Sequence, residues 1–96
     1  MNRGEHLLTI LSEECGEVVQ IASKIKRFGM HEQRDLPVSN YYRLKAELND
    51  IYAMVEMIQA EFNIDLEPDK EVIFTKQTQV EIYLQYSKEC GTLSDD

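Results

Sequence analysis

Residues 7–28, LLTILSEECGEVVQIASKIKRF, decide how the rest of the chain is read. At 3.6 residues per turn, Leu7, Ile10, Leu11, Val18, Ile21, Ile25 and Phe28 fall on one broad helical stripe. Glu14 lies inside that stripe and Glu17 at its border, so two carboxylates intrude on an apolar face. An ionised carboxylate buried without a partner neutralises or finds a cation. A bound metal is the simplest reason for placing two there.

The same arrangement recurs downstream. Residues 40–62 carry a second stripe of Leu44, Leu48, Ile51, Met54, Val55, Ile58 and Phe62, with Glu47 inside it and Asp50 just past its edge. Side chains three apart on a helix are neighbours, so Glu14 with Glu17, and Glu47 with Asp50, form two pairs. Packed face to face, the two helices are expected to bring four carboxylates together. Acidic pairs at this spacing are common on solvated faces; it is their position within apolar stripes, twice over, that argues for a site. Glu13 falls off the stripe, and its spacing suits a solvated residue or a carboxylate that orients water equally well.

The boundaries of the elements follow from local chemistry. Gly29 stands where a helix C-cap uses it, the polar run 30–39 with Pro37 reads as a loop, and Ser39 is a plausible N-cap for the second helix. Pro68, followed by Asp69 and Glu71, reads as the start of a third helix, which runs to about Glu89 and stops at Cys90-Gly91. Its apolar face is Val72, Ile73, Val80, Tyr83 and Leu84, with Lys76 on the same side. The expected fold is one small all-α domain over residues 1–96, with 91–96 a mobile tail.

Composition limits the function. With 96 residues the chain buries a modest share of its surface alone, and one partner helix cannot cover the stripes of the first two. An antiparallel helical bundle completed by oligomerisation, as a homodimer or homotetramer, is expected, with both of the first helices at the interface. A formal charge of -8, from 18 acidic against 10 basic residues, argues against nucleic-acid binding, which needs a basic face. Cys15 and Cys90 have no metal or redox spacing and read as reduced thiols. With no apolar run near the roughly 20 residues of a bilayer span and no signal-peptide core, a cytoplasmic protein is expected.

An all-carboxylate ligand set without His or Cys selects a hard cation, Mg²⁺ or Mn²⁺. The Glu-x-x-His pairs of di-iron bundles are absent from the sequence, and His6 and His31 read as surface residues. Mg²⁺ commonly joins carboxylates to substrate phosphates, so a polyphosphate substrate is expected. Lys24, Arg27, Arg43 and Lys76 are candidates to hold its charge, each weighed against a snorkelling surface side chain. Tyr41, Tyr42, Tyr52, Tyr83 and Tyr86 are at spacings more often found in cores, and no base pocket is assigned from them.

Glu13-Glu14-Cys15-Gly16-Glu17 followed by Glu47-Leu48-Asn49-Asp50 resembles the EExxE and ExxD signature of the MazG-like all-α nucleoside triphosphate pyrophosphohydrolases. The resemblance covers residues 7–58. The stretches Ser23-Lys24-Ile25-Lys26-Arg27-Phe28-Gly29 and Asn40-Tyr41-Tyr42-Arg43-Leu44 look like the small single-domain bacterial and phage members. It implies Glu14, Glu17, Glu47 and Asp50 as magnesium ligands and Glu13 as the remaining acid of the motif. It also implies Asn40 beside the basic candidates at the substrate, and hydrolysis of a nucleoside or deoxynucleoside triphosphate to monophosphate and pyrophosphate. The third helix departs from the family, with Lys76-Gln77-Thr78-Gln79 where some members have a Lys-rich, Asn-containing stretch. The rival reading is a non-catalytic helical interaction module with an acidic, cation-binding face; its acids should line an outer surface.

Overall fold

Asn2 starts the first helix. Its side-chain oxygen accepts a hydrogen bond from the Glu5 amide at 2.8 Å, and its amide nitrogen donates to the Glu5 carboxylate at 3.1 Å, satisfying one of the donors that a helix start leaves unpaired. In the computed structural model, which describes residues 1–94, the resulting helix α1 spans Arg3–Phe28. Lys26 and Arg27 sit in its last turn, where cations complement the helix dipole, and Arg27 also lies over the Phe28 ring at 5.0 Å. Gly29 ends it at φ 105°, its N–H donating to the Ile25 carbonyl, a conformation that favours glycine.

Helix α2, Asn40–Phe62, begins at the expected Ser39 cap, whose hydroxyl accepts from the Tyr42 amide. Its first two amides, having no partner in their own helix, donate back into the connection. The Asn40 N–H reaches the Glu32 carbonyl at 3.0 Å and the Tyr41 N–H the Met30 carbonyl at 2.8 Å. The Asn40 side chain completes the closure by donating to the Gly29 carbonyl at 2.9 Å and to Glu32 Oε2 at 3.2 Å. Asn40 is only 1 % exposed. Beyond this clamp, Leu36 N–H bonds the Gln33 carbonyl around a turn that holds Arg34 at φ 54°. Asn63, also left-handed at φ 53°, closes the far end of α2.

The chain divides into two compact units, Met1–Leu66 and Glu67–Asp96. In the first, α1 and α2 pack together as an antiparallel hairpin. The end opposite the connection is tied by Arg3 and Glu61, whose Nε and Oε2 are 2.9 Å apart. Gly4 lies so close to Phe62 there that a Cβ would come within 2.6 Å of its ring. Leu7, Met54 and Ile58 form the buried centre, with Leu11 against it and Ile21 buried further along. Other residues of the expected stripes are less covered: Leu44, Leu48 and Val55 are half-buried, and Ile10, Phe28 and Phe62 are exposed. Two helices cover one line of each other and leave the flanks open.

The second unit holds α3, Lys70–Glu89. It starts two residues after Pro68, because the Asp69 carboxylate accepts from the amides of Glu71 and Val72 at 3.0 and 3.1 Å and so becomes the N-cap. None of its residues is buried, and Val72, Ile73, Val80, Tyr83 and Leu84, its expected apolar face, are all exposed. After the helix Gly91 turns at φ 79°, and the amides of Thr92 and Leu93 donate to the Ser87 carbonyl. Asp95 and Asp96 lie outside the described residues. Among the described residues every regular element is helical, and no helix is long and apolar enough to cross a membrane.

Candidate metal centre

Halfway along the hairpin, α1 contributes Glu14 and α2 contributes Glu47 and Asp50 to one cluster. One carboxylate oxygen from each lies within 4.8 Å of the other two. The periodicity that places Glu14 and Glu47 within apolar stripes leaves both half-buried between the helices, while Asp50, at the stripe's edge, is exposed. Two ligands directly opposite each other on Mg²⁺ are about 4 Å apart, so the three oxygens are grouped on the scale of one hard cation, slightly expanded. The donor set, oxygen only, suits Mg²⁺ or Mn²⁺ and not a metal that prefers nitrogen or sulfur.

The electrostatics agree with the geometry. The Glu14 pKa is raised above its ordinary 4.5, first by burial between the helices, then by the charge of Asp50, then by hydrogen bonding to Glu47 and by its charge. Like charges held this close favour a shared proton or a cation. The folded chain thus holds the Glu14 proton more tightly than the unfolded chain does. Ionising it costs stability as pH rises from 4.5 through the raised value, and the cost is absent below both. Without metal, Glu14→Gln should therefore be more stable than wild type at neutral pH, the gap shrinking on acidification through that window. Thermal melts of both proteins in chelator across pH test this; a gap independent of pH would mean that Glu14 is not coupled to its neighbours.

Of the other expected ligands, Glu17 is exposed and outside the cluster, as a border position one turn along α1 allows. The structure thus brings together three of the four carboxylates. Glu13 is exposed. Lys24 and Arg43 are half-buried, one on each helix of the hairpin, whereas Arg27 is exposed. Lys76 is exposed in the second unit, where it lines a shallow groove with Glu71, Val72, Thr75 and Gln79. Asn40, placed with the substrate residues by resemblance, uses its side-chain N–H groups to close the connection.

The tyrosines depart from the core reading. Tyr41, Tyr42, Tyr52, Tyr83 and Tyr86 are all exposed. Tyr41 and Tyr42 meet edge to face at 5.1 Å, and His31 tilts against Tyr41 at 6.1 Å. Cys15 and Cys90 are free and exposed. No protein-family model, curated protein or solved structure matches this chain.

Proposed function

We propose that this protein is a Mg²⁺-dependent nucleotide pyrophosphohydrolase, converting a nucleoside or deoxynucleoside triphosphate to the monophosphate and pyrophosphate. The observation that carries the reading is the convergence of Glu14 with Glu47 and Asp50 from two separate helices, the two glutamates half-buried and Asp50 at their exposed edge. The arrangement is what the resemblance to the MazG-like enzymes implies for those positions, and an acidic interaction module has no use for carboxylates sunk between helices.

When bound, Mg²⁺ neutralises phosphate oxygens and makes a coordinated water more acidic. Glu14, Glu47 and Asp50 would hold the ion, with Glu17, one turn along α1, as the fourth carboxylate that the resemblance implies. Glu13, or a ligand carboxylate, orients the attacking water and takes its proton. Lys24, Arg27 and Arg43 offer positive charge to the phosphates. A second copy of the chain, as a homodimer or homotetramer, completes a helical bundle over the exposed apolar flanks, and two free thiols suit the reducing cytoplasm.

Incubation with a panel of nucleoside triphosphates and Mg²⁺ should release pyrophosphate; no release from any of them, with the protein folded, removes the reading. Lys24→Ala is expected to weaken substrate binding while leaving turnover measurable. A charged hydrogen bond contributes on the order of 1.5 to 3 kcal/mol, so KM should rise roughly ten- to a hundredfold with a smaller change in kcat. Steady-state kinetics that showed kcat collapsing with KM unchanged would assign Lys24 to the reacting atoms instead.

A further inference from the structure

The hairpin has two unlike sides. About a third of the way round α2 from its contact with α1, Tyr41, Leu44, Lys45, Leu48, Asn49 and Tyr52 line an open groove of about 310 Å³. On α1 the same rotation brings up Leu8, Cys15 and Val19, all exposed. Because the helices are antiparallel, equal rotations away from their shared contact reach the same side of the pair. The second apolar stripes therefore form one surface, while Glu17 and Asp50 lie on the opposite side.

We propose that this apolar side is the interface with a second copy of the chain, α2 against α2 in antiparallel about a two-fold axis, in a register set by Lys45 and Glu56. Those two residues are eleven apart, about three turns, so they lie on one edge of the groove. Both are exposed, and neither has an ion-pair partner among the described residues. A two-fold axis midway between them, at residues 50–51, sets Lys45 opposite the partner's Glu56 and Glu56 opposite the partner's Lys45. One contact thus makes two complementary pairs, as an isologous interface requires. The same register lays Leu48 beside the partner's Tyr52. It also lets two copies of a chain of charge -8 meet through the side that carries none of the clustered carboxylates.

The register has a consequence on α1 that does not depend on the charges. Glu14 stands beside Glu47 and Asp50, so an axis at 50–51 passes α1 near residue 14. Cys15, on the apolar side, then comes next to the partner's Cys15. The inference rests on the assembly part of the proposed function and is independent of its chemistry: association is read from mass and cross-linking, catalysis from pyrophosphate.

The test uses the full chain. Sedimentation should give a dimer or a larger assembly, and Tyr52→Lys should dissociate it. Lys45→Glu and Glu56→Lys should each raise the dissociation constant roughly tenfold or more, since each sets like charges face to face twice, and the double reversal should restore it. A short bis-maleimide should join two wild-type chains, and Cys90→Ser chains equally, but not Cys15→Ser chains. A monomeric wild type, or Tyr52→Lys with unchanged mass, overturns the interface. A double reversal as weak as the singles, or cross-linking that survives Cys15→Ser, overturns the register. Sensitivity to Tyr52→Lys with indifference to both charge reversals would give the face to another occupant such as α3, and also overturns the proposal.

Discussion

Glu47→Gln is expected to remove pyrophosphate release almost completely while leaving a folded protein. Glu47 is the half-buried acid on α2 that stands with Glu14 and Asp50, and the amide keeps its size while removing the charge that holds a cation. Loss of one well-placed stabilising group in an active site commonly costs 10²- to 10³-fold in rate; losing a ligand of the ion that bridges protein to phosphates should cost at least about that much. The fold should persist, because one of three mutually repelling carboxylates has gone. A second readout separates binding from chemistry. Millimolar Mg²⁺ should raise the melting temperature of wild type, as any ligand of the native state does, and should leave Glu47→Gln almost unmoved. If Glu47→Gln folds, assembles and hydrolyses at the wild-type rate, the cluster is not the catalytic centre and the interaction-module reading replaces it.

Ile58→Ala is expected to be the most damaging of the simple core truncations. Ile58 is 3 % exposed and packs with Leu7 and Met54 in a centre with few other members. Large-to-small changes at such sites cost about 2 to 5 kcal/mol, which for a chain of this size lowers the melting temperature by roughly 10 to 30 °C. The fall should also be accompanied by loss of the Mg²⁺ response, since Glu47 and Ile58 sit on one helix whose seating against α1 places the cluster. A shift of only a few degrees would mean that the contact between α1 and α2 is not what holds this unit together.

The parts of this structure that sequence reading recovered are those governed by short-range chemistry. Gly29, Ser39 and the apolar periodicity fixed the limits of α1 and α2 because caps and stripes act within a turn or two. Glu14, Glu47 and Asp50 were legible for the same reason, each having a defined position on its own wheel. Glu17 was harder, since a border residue can face the groove or the solvent and the wheel does not choose. The start of α3 depended on whether Pro68 or Asp69 took the first amides, and the carboxylate did. The clamp made by Asn40 was not legible, because its hydrogen bonds reach back across the connection, which no periodicity encodes. Leu44, Leu48 and Phe62 were assigned to a single core stripe, but a two-helix contact is narrower than that stripe, so Leu44 and Leu48 are half-buried and Phe62 is exposed.

The Asn40 clamp has a consequence for what the connection between α1 and α2 can carry. Gly29, Met30, Glu32, Asn40 and Tyr41 bind one another across its base, so the chain is already returned to the second helix before the turn at Arg34 is reached. Whatever lies between residues 33 and 38 is therefore outside the closed ring, and its length is not dictated by the hairpin. That segment is the natural place to graft an epitope, a fluorophore or a whole foreign domain, joined to the hairpin by two chain ends that emerge side by side.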